Sequence, residues 1–316
     1  MGTYLGIDIG GTKVAFRVEG DDDDSGSVYE SSFVWSERRG AESDLALLAG
    51  HLLAVREKQG SDLVAVGVST PMTVGVDGRV TAWPNRPEWT GSDFGARLRE
   101  LLPGVPVAWA DDGSLGALAE AWSAERENVL YLGVGTGVGG GLVLDGALCP
   151  PPGRGACEIG HTIVRYDGGE PCACGRRGCL QATASGPATL RRASLLRGEA
   201  VAFDELCDGV RDARDWAVAA VAETCRALAA AITSVGEIVP CDVAVVGGGF
   251  AAGVPDFART VDAEVARLAR RGFAPVQVRP AVWGGRSSLR GAVRLARSAS
   301  PAAARRGSPG DPRGAR

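Results

Sequence analysis

The chain has 316 residues, 45% hydrophobic and 23% charged, a length that suits two lobes and a composition ordinary for a globular protein. Its 34 basic and 38 acidic residues leave a net charge of −4, which offers no electrostatic footprint for nucleic acid or an anionic membrane surface. No uncharged apolar run reaches the roughly 18 residues of a membrane span, and "MGTYLGIDIGG" has neither the basic stretch nor the cleavable apolar segment of a signal peptide, so a cytoplasmic protein is expected.

In chain order, "TYLGIDIGGTKVAFRV" reads as strand, glycine turn and strand, and "GDDDDSGS" as a polar hairpin loop, because its acids lack the spacing and distal Glu of a calcium loop. "SDLALLAGHLLAVREKQG" has apolar residues at three- and four-residue spacing and predicts a helix with His51 on one face. "DLVAVGVSTP" is a short continuous apolar run, as in a strand covered on both faces. "VPVAWADD" predicts another strand, followed by a small-residue helix from about Ser114. "NVLYLGVGTGVGGGLVLDG" is a second strand–glycine turn–strand. "RDWAVAAVAETCRALAAAITSVGEIV" is a long alanine-rich helix, "DVAVVGGGF" a strand running into glycines, and "VDAEVARLARRG" a helix. From Ser298 onward the chain loses apolar period and reads as a disordered tail. The echo between the two glycine hairpins suggests a duplicated α/β lobe with a cleft between the halves. The expected bounds are a small lobe over residues 1–115, completed by about 285–297, and a large lobe over 116–284.

Residues 135–140, "GTGVGG", match G-x-G-x-x-G, but a dinucleotide fingerprint needs a helix straight after the turn, and here a strand follows. A glycine hairpin can still converge its backbone N–H groups on a phosphate, or it can be no more than a tight turn. Asp8, Thr12 and Lys13 around the glycines of "DIGGTK" favour the first reading there. Of eight cysteines, Cys149, Cys157, Cys207, Cys225 and Cys241 are scattered and read as small buried hydrophobes, whereas Cys172, Cys174 and Cys179 cluster and suggest a metal. The pair Asp111–Asp112 at the end of a strand fits a helix cap, a metal site, a catalytic base with a helper, or a socket for a positive substrate.

"LGIDIGGTK", "ADDGSLGALAE", "LGVGTGVGGGLVLDG", "CEIGH", "CACGRRGCLQA" and "VVGGGF" together resemble, in order and spacing, the ROK family of sugar kinases, over roughly residues 3–295. The resemblance implies an α/β, two-lobed actin-like/hexokinase-like (ribonuclease H-like) ATPase fold with a zinc knuckle, binding ATP and a sugar. It implies that Asp8 holds Mg2+ through water, with Gly10, Gly11, Thr12 and Lys13 at the phosphates. Thr136 and Gly137 would lie near the transferred group, and Gly247, Gly248 and Gly249 would form the adenosine turn. His161 with Cys172, Cys174 and Cys179 makes a closed Cys3His set for structural Zn2+, which would orient Glu158 and His161 toward the sugar. Asn85 is a further expected sugar contact. Because the chain opens at the phosphate loop, with no helix-turn-helix before it, the kinase branch rather than the repressor branch is expected, as a homodimer without nucleic-acid or membrane partners.

Asp112 aligns with the family's catalytic aspartate, which would orient the attacking hydroxyl and, with an ordinary pKa near 4, take its proton late. Asp111 stands where the family has Asn, Gln181 where it has a sugar-binding Glu, and Met72 where Gly is usual, so the pocket is expected to be retuned from plain glucose. A second anion beside Asp112 should raise one carboxyl unless a cation compensates. The ammonium of an aminohexose with nitrogen at C3, such as kanosamine (3-amino-3-deoxyglucose), would be that cation. The expected reaction is therefore ATP-dependent phosphorylation of a hexose 6-hydroxyl. Glucose or a C7-cyclitol are the alternative acceptors, Asp111 as a plain cap is the simpler reading of that residue, and a non-catalytic sugar sensor is the alternative of another class.

Overall fold

The structure, a computed structural model, describes residues 2–20, 28–36, 40–59, 63–75, 77–83 and 85–300. Most of the acidic loop after Gly20 and the tail beyond residue 300 lie outside the described residues. The chain divides into two compact units. One comprises the residues up to Leu115, Pro152–Gly155 and those from Ser288; the other comprises Gly116–Pro151 and Ala156–Ser287.

The first unit is built on β1 (Thr3–Ile9), β2 (Lys13–Gly20), β3 (Tyr29–Val34), β4 (Leu63–Thr70) and β7 (Val107–Asp111), in the order β3-β2-β1-β4-β7. The hairpin strands pair antiparallel, while β1, β4 and β7 run parallel, so their carboxyl ends share one edge. A small ribbon of β5 (Thr73–Val74) and β6 (Val80–Ala82) follows β4. Helices α1 (Ala41–Gln59), α2 (Phe94–Leu101) and α10 (Ser287–Ser298) complete the unit, and α3 (Asp112–Ala124) leads out of it. The core joins the apolar sheet positions to a chain of aromatic rings, Phe33, Trp35, Trp83, Trp89, Phe94 and Trp109, with successive centroids 5.2–6.5 Å apart. His51 stacks on Phe33 at 4.1 Å, the packing role its helix face predicts. Gly6 and Gly67 are in register on neighbouring strands, and a Cβ on Gly67 would meet the Ala292 carbonyl at 1.9 Å. Only glycine lets α10 lie this close to the sheet.

The second unit repeats the plan with β8 (Val129–Val134), β9 (Val138–Leu144), β10 (Ala147–Cys149), β11 (Val243–Gly247) and β12 (Gln277–Pro280), in the order β10-β9-β8-β11-β12. Again the hairpin is antiparallel and three strands run parallel. The helices are α4 (Leu180–Ala184), α5 (Gly186–Arg197), α6 (Phe203–Arg211), α7 (Asp215–Gly236), α8 (Gly249–Gly253) and α9 (Phe257–Arg267). By length and composition α7 could cross a membrane. Its apolarity has a nearer cause: Ala217, Val221, Leu228 and Ile232 are buried in the core with Leu130, Leu132 and Val246. Of the five scattered cysteines expected to be buried, Cys207 and Cys225 are, and burial pushes the Cys225 thiol up to about 12, whereas Cys149, Cys157 and Cys241 are half-buried.

One expectation needs correction. The helix after β7 begins at Asp112 rather than about Ser114, because Asp111, not Ser114, supplies the cap. Met72 is 5% exposed within the core cluster of the first unit and fills space there.

Candidate active site

The carboxyl ends of β1, β4 and β7 gather the charged residues of the first unit. Asp8 is in register with Ser69, and Thr70 with Asp111. Open parallel sheets bind ligands at this edge. Ser288, on the first turn of α10, donates to Asp8 Oδ2 at 3.0 Å. Burial raises the Asp8 carboxyl, opposed by the Ser69 and Ser288 hydroxyls and by Lys13. The Ser69 hydroxyl is near enough to favour the charged form, yet it is fully buried and reaches no hydrogen bond of ordinary geometry.

Asp111 is the N-cap of α3, its Oδ1 accepting from Ser114 N at 2.9 Å; Asp112 Oδ1 accepts from Gly113 N at 2.8 Å. The capping reading of Asp111 is therefore present in the structure. Asn caps a helix as well as Asp does, so capping alone leaves the charge at 111 unexplained. The Asp112 carboxyl is pushed up to about 6, first by desolvation and then by Asp111 and Asp8. Its surface is open to solvent, so the desolvation reflects dense surrounding protein rather than enclosure, and water moderates it. The reading of Asp112 as an ordinary carboxylate near 4 is thus corrected. Asp111 and Asp8 both act on Asp112 here, and Lys13 acts on Asp8. Together with the unpartnered Ser69 hydroxyl, this suits a hydrated Mg2+, which binds through one or two carboxylates and keeps much of its water.

At the first hairpin turn, Gly10 N donates to Lys13 O at 2.9 Å, and Asn85 lies against Gly11. Trp35 closes the turn from the side. Its backbone N donates to Thr12 O at 3.0 Å and its Nε1 to Gly10 O at 2.8 Å.

In the second unit, Gly135 N donates to Gly137 O at 2.9 Å across the turn that exposes Thr136, and Gly186 N, at the start of α5, donates to Gly135 O at 2.8 Å. Gln181 on α4 reaches the same turn: a Cβ on Gly137 would lie 3.0 Å from its Oε1. Its Nε2 donates to Cys172 Sγ at 3.5 Å, so this side chain touches both the hairpin and the knuckle. His161 and Cys172, Cys174 and Cys179 bring four donor atoms within 4.8 Å of one another. Cys172 Sγ is 3.6 Å from His161 Nδ1, and Cys174 Sγ is 3.6 Å from Cys179 Sγ. A tetrahedron with metal–sulfur bonds of ~2.3 Å and metal–nitrogen bonds of ~2.0 Å has edges of about 3.5–3.8 Å, so the donors fit Zn2+. Gly175 and Gly178, at φ +88° and +75°, form the turns between them. The Cys174 thiol is held down to about 6, chiefly by hydrogen bonding to Arg176. Glu158 opens the short turn that carries His161; its side chain is exposed and takes no capping hydrogen bond.

Gly247 ends β11 in register with Gly133, and Gly248 and Gly249 lead into α8. Beside them is a cavity of about 310 Å3 lined by Gly247, Ala251, Phe257, Pro280, Ala281 and Gly284. The expected residues thus form two groups, one in each unit. Sequence reasoning missed Ser288 and Trp35; "GGRSSLRG" signals a helix start, but no motif points to either contact.

Residues 4–299 match the ROK family. The chain is 58% identical over 298 residues to the kanosamine kinase of Amycolatopsis mediterranei, covering 94% of this chain and 97% of that one. The ROK hexokinase of Thermus thermophilus superposes with a TM-score of 0.81 at 29% identity, covering 93% of this chain and 98% of that one. A ROK family glucokinase from Streptomyces griseus, solved with glucose and AMPPNP, gives a TM-score of 0.71 at 26% identity, covering 94% and 100%. The motifs, the repeated sheet plan and these likenesses agree: the chain belongs to the ROK family, with that family's α/β, two-lobed, hexokinase-like fold.

Proposed function

We propose that this chain phosphorylates the 6-hydroxyl of an aminohexose, kanosamine, at the expense of ATP. The 58% identity to a kanosamine kinase over nearly the whole of both chains carries this reading. The glucokinase likeness keeps glucose as the second acceptor.

Asp112 accepts the proton of the attacking hydroxyl. With its carboxyl near 6 rather than 4 it is a better base than an ordinary aspartate, while still ionised at neutral pH. Phosphoryl transfer otherwise depends on positioning and on neutralising charge. Gly10 N and Gly135 N close the two turns, so the N–H groups of Gly11 and Thr12 and of Thr136 and Gly137 face the phosphates, and the cavity beside Gly247 takes the adenosine. Asp8, oriented by Ser288, would hold Mg2+, which would supply positive charge against the phosphate oxygens. His161, Cys172, Cys174 and Cys179 would hold zinc as a four-donor set that leaves no position for substrate, and would so fix Glu158 and His161 without doing chemistry. With Nδ1 toward Cys172, His161 keeps Nε2 for the sugar. Asn85 and Gln181 complete the acceptor contacts.

Asp111 sets the preference for an amine. An ammonium about 3 Å away gains roughly 5 kcal/mol at an effective dielectric near 20. Desolvation removes much of this, leaving about 1–3 kcal/mol of discrimination. Coupled ADP release with kanosamine, glucosamine and glucose tests the reading. Turnover with kanosamine in preference to glucose is expected, and no turnover with any hexose would overturn it.

A further inference from the structure

Beside the first glycine turn lies an ion pair that the reaction does not use. Arg86 is 5% exposed and Asp44, on α1, is 1% exposed. Arg86 Nη1 donates to both carboxylate oxygens of Asp44 at 2.8 Å, and Trp89 Nε1 donates to Oδ2 at 2.9 Å. The guanidinium lies over the Trp35 ring, 4.7 Å from its centroid. This is the tryptophan whose backbone N and Nε1 hold Thr12 O and Gly10 O. The residue before Arg86 is Asn85, exposed, with its amide pressed on the turn: a Cβ on Gly11 would sit 2.3 Å from Asn85 Nδ2.

We propose that Arg86 is a positioning residue for the acceptor sugar, fixing Asn85 through the chain and the Gly10–Thr12 turn through Trp35. The proposal rests on the reading of Asn85 as an acceptor contact. The two routes leave one guanidinium and meet again where Asn85 touches Gly11, so the contact and the turn cannot shift independently of the pair.

Stability gives a poor reason for such a pair. Apolar residues of similar volume serve as well or better in a tryptophan-rich core, because burying two charges costs about what their attraction returns. Arg86 also leaves Nε buried without a hydrogen-bond partner among the described residues, a further cost. What the pair supplies is direction. A guanidinium whose Nη1 is held by both oxygens of a carboxylate, and whose plane lies over one indole while a second indole holds that carboxylate, fixes the backbone at residue 86 in a way a rotatable apolar side chain does not.

The test replaces the pair by apolar residues. Asp44→Leu/Arg86→Met is expected to melt no lower than wild type, yet to raise the KM for both kanosamine and glucose by roughly tenfold or more, with kcat within about threefold. In an Asn85→Ala background the same double replacement is expected to add less than about twofold. A KM within twofold of wild type in the folded variant overturns the proposal, as does an undiminished effect in the Asn85→Ala background. Should that variant not fold, Arg86→Lys keeps the charge against Asp44 and loses the planar group over Trp35. A raised acceptor KM at native melting temperature is then expected, and an unchanged KM overturns the proposal. If Asn85→Ala alone leaves the acceptor KM unchanged, the reading of Asn85 itself fails and the proposal falls with it.

Discussion

The two sheets share one strand plan and differ in what surrounds their glycine turns. In the first unit the turn between β1 and β2 stands beside charge: Asp8 and Lys13 flank it, and Asp111 and Asp112 lie at the end of β7, along the same sheet edge. In the second unit the turn between β8 and β9 has no charged side chain of its own. It is met by Gly186 N and by Gln181, while the neighbouring thiols and imidazole are drawn into a four-donor knuckle. Repetition thus extends to the scaffold and not to the chemistry. The carboxylates suited to taking a proton or to Mg2+ lie in the first unit, and the four-donor knuckle lies in the second.

The sharpest way to break this division is at Asp112. Asp112→Asn should lower kcat by about three orders of magnitude or more, since an amide cannot take the hydroxyl proton. The same change should raise the melting temperature at pH 8. The carboxyl is raised in the folded state, so its favourable contribution is present at low pH and is lost as pH rises through about 6. A variant that is active, or that loses activity by unfolding, contradicts the assignment of proton transfer to this residue.

The knuckle is expected to behave in the opposite way. Elemental analysis should find about one zinc per chain. Cys179→Ser should release it and lower the melting temperature by roughly 5–15 °C, with the loss of activity tracking the loss of fold. Zinc-free protein of undiminished stability would remove the structural role.

Much of this division is legible in the sequence, and the remainder is not for physical reasons. Glycine turns between β-branched runs fix both hairpins locally, and three cysteines within eight residues reveal a donor cluster at once. The start of α3 is harder: Ser114 is as good a cap as Asp111, and only the fold shows that its N–H is the donor and Asp111 the acceptor. Met72 could fill a core or line a pocket until its neighbours are known. The partners that hold the site in place lie far along the chain, 25 residues between Trp35 and Gly10, and 280 between Ser288 and Asp8, where no local pattern connects them. The raised Asp112 carboxyl depends on burial and on Asp8, which is likewise far along the chain, so sequence shows the paired acids but not how strongly burial acts on one of them.

A smaller effect sharpens the comparison through pH. With glucose, which does not itself titrate near neutrality, log kcat/KM should fall with unit slope below about pH 6, as Asp112 takes up a proton. The limb for kcat should lie at lower pH, because Mg2+ bound with the substrates offsets the repulsion from Asp8 and Asp111. A profile flat from pH 7 down to 5 would separate Asp112 from the proton-transfer step.

The amine preference is the central claim, and the kcat/KM ratio of kanosamine over glucose, measured in wild type and in Asp111→Asn, tests it most directly. Asn keeps the cap on α3 and removes only the charge. The ratio should fall by about 5–150-fold, corresponding to ~1–3 kcal/mol. A ratio unchanged within twofold would mean that Asp111 caps the helix and does nothing to select the acceptor.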